Sequence, residues 1–134
     1  MQVALHPQLL ARRLNLRLHR WRSPQEAAQC ARECVPGAFL VKANGAEARL
    51  LTGEHNLVRA GRAMLEMGPQ FIVIKKGEHG VMLVTGDNVF VLPAYPTADV
   101  KDPTGAGDSF AGGMMGYLAA QGNVQFDTLR MALA

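Results

Sequence analysis

The chain has 134 residues, 49% of them apolar, and a net charge of +3, enough for one adequate hydrophobic core. No stretch approaches the roughly 18 consecutive apolar residues of a membrane span, and the N-terminus lacks the apolar segment of a secretory signal, so a cytoplasmic protein is expected. The charge is uneven: Arg12, Arg13, Arg17, Arg20 and Arg22 form a basic leader over residues 1–22 with no acid and a single aromatic, Trp21, which reads as a solvated face rather than a nucleic-acid arm or targeting segment.

In chain order, Ser23-Pro24-Gln25-Glu26 combines an N-cap, a proline at the first helical position and a capping-box glutamate, so a helix is predicted from there to about Cys34. Cys30 and Cys34 share a face of that helix. With no further cysteine and no histidine nearby they read as buried or partly buried free thiols, not as a zinc site. A buried strand is predicted over 38–41, helices over 46–51 and 57–67, and a second buried strand over 71–74, whose unbroken apolar run suits a sheet covered on both faces. The β-rich runs 80–85 and 88–92, joined by Gly86-Asp87, predict a hairpin. After an irregular stretch over 93–103, a helix of small residues is predicted from Ala106 to about Ala120, with Gly112, Gly113 and Gly116 allowing close packing, and a last helix near Asp127. The methionines read as core filler.

The run Asp102-Pro-Thr-Gly-Ala-Gly-Asp-Ser-Phe-Ala-Gly-Gly113 carries the most chemistry. Gly105 and Gly107 permit a tight turn and a close approach to a ligand, and the helix that follows directs unpaired N–H groups and its positive end at whatever lies above the turn. An anion belongs there, and a carboxylate at Asp108 beside it suits a base that takes a proton from a nucleophile attacking phosphate. A dinucleotide fingerprint needs a small residue where Phe110 stands, and a Walker loop needs a Gly-Lys-Ser/Thr that does not occur. The plain alternative is a helix start with Asp108 or Ser109 as N-cap.

This run resembles the second signature of the ribokinase-like (PfkB) carbohydrate kinases. Asn44-Gly-Ala-Glu47, followed by Leu51-Thr52-Gly53, is similar to the family's Asn-x-x-Glu motif, and Ile72-Val-Ile-Lys-Lys-Gly77-Glu-His-Gly80 to its nucleotide-side strand and turn. Asn15-Leu-Arg17 with Trp21 is similar to a stretch of fructokinases and ketodeoxygluconate kinases, although Arg13 stands where that pattern has Asp. The resemblance implies an α/β fold, a partial three-layer α/β/α ribokinase-like (Rossmann-like) domain, and transfer of phosphate from ATP to a hydroxyl of a small sugar or sugar acid. It makes Asp108 the catalytic base and Gly105, Ala106 and Gly107 the anion hole. Lys75, Lys76, Gly77 and Gly80 fall on the nucleotide side. Asn44 and Glu47 would hold Mg2+ through water, and Asp102 and Thr104 would offer oxygens to a monovalent cation such as K+.

The residues leave bland readings open beside these: Asn44 and Glu47 make good capping chemistry, either lysine suits solvent, and His55 and His79 lie in predicted turns with no partner that suggests catalysis. Family members form one domain of roughly twice this length, so residues 1–134 are expected to be a single incomplete kinase domain that lacks the N-terminal sugar-binding region and the C-terminal helices. Neither nucleic acid nor membrane is an expected partner; association with a second copy through an exposed sheet edge is. A non-catalytic remnant or interaction module that keeps only an anion site is the competing expectation.

Overall fold

The computed structural model describes residues 21–99 and 105–134, with the backbone of 2–6 and 9–13, and its strands form one sheet on which the helices pack. The strands are β1 (Gln2–His6), β2 (Leu9–Arg13), β3 (Leu40–Asn44), β4 (Phe71–Lys75), β5 (Val81–Val84) and β6 (Val89–Leu92). The helices are α1 (Pro24–Cys34), α2 (Gly45–Thr52), α3 (Leu57–Leu65), α4 (Ala106–Gln121) and α5 (Phe126–Leu133). Spatial order follows chain order from β1 to β6. β2, β3 and β4 run parallel, and the two margins are antiparallel hairpins, β1–β2 and β5–β6. The basic leader therefore belongs to the sheet through its backbone, since β2 pairs with β3 from Ala11↔Leu40 to Arg13↔Lys42.

Strand alternation sends consecutive side chains to opposite faces, and two cores result. On one face Val41, Ala43, Ile72, Ile74, Met82 and Val84 pack with Ala31 and Val35 of the α1 region, Ala48 and Leu51 of α2, and Ala60 and Met64 of α3. On the other, Leu40, Val73, Val81 and Leu83 pack with Met114, Met115 and Leu118 of α4 and Leu129 and Leu133 of α5. The product is the three-layer α/β/α unit expected from the sequence. Each fully buried aliphatic side chain contributes about 1.5–3 kcal/mol to it.

The helices start where the sequence places caps. Ser23 Oγ accepts from the Glu26 amide at 3.1 Å while Glu26 Oε2 accepts from the Arg22 amide at 3.2 Å, and Pro24 occupies the first turn of α1. Asn56 Oδ1 accepts from the amides of both Val58 and Arg59 to begin α3. α3 lies so close to β5 that a Cβ on Gly61 would come within 2.7 Å of Val84 Cγ2. The hairpin turn at Gly86-Asp87 is closed by Thr85 and Asn88, whose backbone and hydroxyl groups bond each other.

One packing expectation is corrected. Gly112, Gly113 and Gly116 lie on an exposed face of α4, and a Cβ on any of them would meet nothing within 4 Å. The helix packs instead through Ala111, Met114, Met115 and Leu118 on its opposite side.

Candidate functional site

In open α/β sheets, ligands gather at the carboxyl ends of parallel strands. Here two of those ends belong to β3 and β4, whose last residues, Asn44 and Lys75, are register partners. Two residues just over thirty positions apart in sequence thus become neighbours. A groove of about 540 Å³ opens beside them, lined by Asn44, Gly45, Ala46, Arg49, Leu57 and the turn that carries Lys75, Lys76, Gly77 and His79.

Asn44 ends β3 and caps α2. Its Oδ1 accepts from the Glu47 amide at 2.8 Å, and Glu47 Oε2 accepts from the Asn44 amide at 2.9 Å, a complete capping box. Asn44 is exposed and Glu47 half-buried. The box fixes Glu47 in the first turn of α2, at the end of β3, where negative charge also favours the helix dipole.

The consecutive lysines separate. Lys75, last residue of β4, shares the face of Val73 and reaches α4, with Nζ 4.9 Å from the centre of the Phe110 ring. Lys76 leaves the strand and begins a tight turn over Gly77–His79, closed by its own amide donating to the Gly80 carbonyl at 2.8 Å. Among the described residues Lys76 has no carboxylate partner, whereas His79 lies 3.6 Å from Glu78. Gly77 lines the groove at φ 61°. Gly80 sits at φ 90°, and a Cβ there would lie 2.1 Å from the Leu92 carbonyl oxygen. Close approach of the 92–94 backbone accounts for the glycine at position 80.

Gly105, at φ 81°, is the N-cap of α4 and supplies no side-chain acceptor. Ala106, Gly107 and Asp108 form the first turn, and the next amide, Ser109, returns to the Gly105 carbonyl at 2.9 Å. The cap is therefore neither Asp108 nor Ser109. Asp108 is an exposed first-turn carboxylate two residues from Phe110, and the Lys75–Phe110 contact brings the start of α4 to the end of β4. Asp102, Thr104, Asn15 and Arg17 lie outside the described residues.

Lys42 escaped the sequence reading. It is 5% exposed, the sole buried charged side chain among the described residues, two positions before Asn44 and on the strand face of Leu40. A lysine is not buried without compensating interactions, so a charge inside the apolar run Leu40-Val-Lys-Ala43 was the signal available. Lys42 and Lys75 both belong to the sheet face covered by α4, beside the end that carries Asp108.

No described helix is long and apolar enough to cross a membrane, and no group of three His, Cys, Asp or Glu side chains gathers among the described residues.

Residues 6–134 match the family model described as pfkB family carbohydrate kinase. A cytidine kinase of Thermococcus kodakarensis is 38% identical over 89 residues, 64% of this chain and 32% of that protein. A fructokinase of Klebsiella pneumoniae is 30% identical over 109 residues, 81% of this chain and 35% of that protein. The chain thus spans about a third of the length of these relatives. Among solved structures, aminoimidazole riboside kinase from Salmonella enterica, complexed with aminoimidazole riboside and an ATP analog, superposes with a TM-score of 0.80 at 28% identity, over 92% of this chain and 41% of that one. A fructokinase double mutant from Vibrio cholerae, bound to fructose, ADP and potassium ion, gives 0.80 at 26% identity, over 92% and 40%.

Proposed function

The chain belongs to the pfkB family of carbohydrate kinases, and from that premise we propose that it forms the phosphoryl-transfer side of an ATP-dependent kinase acting on a sugar hydroxyl. The observation that carries this reading is Asp108 in the first turn of α4, behind left-handed Gly105 and next to the β4 end through Lys75 and Phe110. Its relatives are kinases of a sugar or of a nucleoside that carries one, which supports a small sugar, sugar acid or riboside as acceptor.

In this mechanism the Asp108 carboxylate takes the proton of the acceptor hydroxyl as the hydroxyl oxygen attacks the γ-phosphorus, the bond to the β–γ bridging oxygen breaks, and ADP leaves with that oxygen. The amides of Gly105, Ala106, Gly107 and Asp108, aligned by the dipole of α4, stabilise negative charge on the transferred group. Lys75, Lys76, Gly77 and Gly80 form the nucleotide side. Asn44 orients Glu47 through the capping box, and Glu47 would hold Mg2+ through water; bound there, the ion neutralises charge on the phosphates. Asp102 and Thr104 are proposed to face a monovalent cation.

On its own, the 134-residue chain is expected to bind ATP weakly and to give no measurable turnover. Asp108 is exposed and the groove is open, whereas positioning of the acceptor supplies roughly 7–11 kcal/mol of such a barrier and exclusion of water strengthens every charge interaction. The competing reading, a non-catalytic anion-binding module, draws on the same openness. Amide NMR with added ATP and Mg2+ tests the site: shifts are expected at 105–108 and 75–77, and shifts confined to 1–22 would refute the assignment. A coupled ADP-release assay over a panel of sugars tests the chemistry. Turnover abolished by Asp108→Asn would establish Asp108 as the base and overturn the expected inactivity of the chain alone.

A further inference from the structure

The family signatures assign nothing to Arg49, yet it is a groove-lining cation on α2 with no carboxylate partner among the described residues. Its position is built. The Nε–H donates to the His55 carbonyl at 3.0 Å, which ties the guanidinium to the loop before α3. Helical side chains lean back toward the N-terminus, and Nη1 lies 3.5 Å from where a Cβ on Gly45 would stand, over the first turn of α2. Among the described residues only Nε is committed, which leaves the donors of both terminal nitrogens for another acceptor.

Lys76 and His79 line the same groove, whereas Lys75 turns its ammonium to α4, and among the described residues no acidic side chain lines it. Glu47 is committed to the Asn44 amide and Glu78 lies beside His79. A cleft lined by one sign of charge concentrates ligands of the other. An anchored arginine fork offers planar, paired donors that suit phosphate oxygens better than a lysine does.

We propose that Arg49, with Lys76, forms a polyphosphate subsite on the α2–α3 side of the groove, and that Arg49 makes this groove discriminate a triphosphate from a monophosphate. The inference rests on the nucleotide reading above and adds a residue that sets specificity. Its ligand is a linear polyphosphate, whether free or carried by a nucleoside.

Calorimetric titration of the 134-residue chain with tripolyphosphate, ATP and AMP, each at two salt concentrations, tests it. Arg49→Gln should weaken tripolyphosphate and ATP about tenfold, the loss of one charge-assisted contact, and leave AMP nearly unchanged. Arg49→Lys should fall between. Arg62→Gln, which removes the same charge from an exposed position outside the groove, should change nothing, and circular dichroism melts confirm that each variant folds. ATP that shifts the 105–108 amides but binds wild type and Arg49→Gln equally would overturn this subsite while sparing the kinase reading. Tripolyphosphate weakened by Arg49→Gln, with 105–108 silent toward ATP, would do the reverse. Absence of saturable tripolyphosphate binding by the wild type, or equal losses in Arg62→Gln, would also overturn the subsite.

Discussion

Gly80 and Lys42 are where single residues carry more than their letters suggest. Gly80 combines φ 90° with a carbonyl oxygen 2.1 Å from its missing Cβ and backbone atoms of Pro93 and Ala94 at 2.8 Å. Gly80→Ala should therefore destabilise the protein by about 3 kcal/mol or more, from backbone strain and overpacking together, and a thermal melt unchanged from wild type would disprove that reason for the glycine. The motif alone could not reveal it, because the 92–94 backbone that crowds Gly80 is distant in sequence. Lys42 was hidden for a related reason: the helices packed on the sheet face of Leu40, which it shares, come more than sixty residues later. The two half-buried cysteines were legible as free thiols. The Cys30 thiol is pushed above its ordinary range by desolvation first and by neighbouring Cys34, which also bonds it, second. A raised acid pKa keeps the proton on the folded state, so any stability it confers is lost as pH rises through the folded value. Cys30 should thus alkylate with iodoacetamide more slowly than the thiols of the urea-unfolded chain at mildly alkaline pH; equal rates, mapped by peptide mass, would contradict this.

Among the elements, α2 was the most readable, because Asn44 and Glu47 make a capping box that needs only local sequence. The two roles of that box separate by substitution. Asn44→Ala removes the acceptor for the Glu47 amide and should cost about 1 kcal/mol of stability, seen as a lower midpoint in urea. Glu47→Gln keeps an oxygen for the Asn44 amide and removes the charge. It should leave the midpoint nearly in place but weaken the Mg2+-dependent part of ATP binding; a Glu47→Gln chain that binds Mg2+ and ATP as wild type does would reduce the motif to capping. Other boundaries shifted for physical reasons. The strand predicted over 38–41 is β3, Leu40–Asn44. The Ala38 amide still closes the turn after α1 on the Val35 carbonyl, and parallel pairing with β4 carries the strand through Lys42. The glycines of α4 were legible as helix members, but which face the helix buries was not: its side chains are small and apolar nearly all round, so periodicity gave no direction.

Across the whole molecule, alternating strands and helices announced the three layers, and unbroken apolar runs announced strands buried on both faces. The strand order and the pairing of the leader's β2 with β3 had no local signal, because parallel neighbours are chosen by tertiary packing rather than by a turn. That packing makes the two cores interdependent. β4 sends Ile72 and Ile74 into the α1–α3 core and Val73 into the α4–α5 core, all three fully buried. Neither helical layer can leave without exposing one face of the strands that anchor the other. Met64→Ala on α3 and Leu118→Ala on α4 remove side chains 0% and 1% exposed from opposite cores, and each should cost about 2–5 kcal/mol with the cavity included. Both variants should nevertheless unfold in one transition, with far-UV circular dichroism and tryptophan fluorescence coinciding and the urea slope unchanged. If Leu118→Ala instead produced a first transition that freed α4 and α5 while Trp21, on the α1 side of the chain, kept its native signal, the sheet would be acting as a divider between two independent cores rather than as their shared floor.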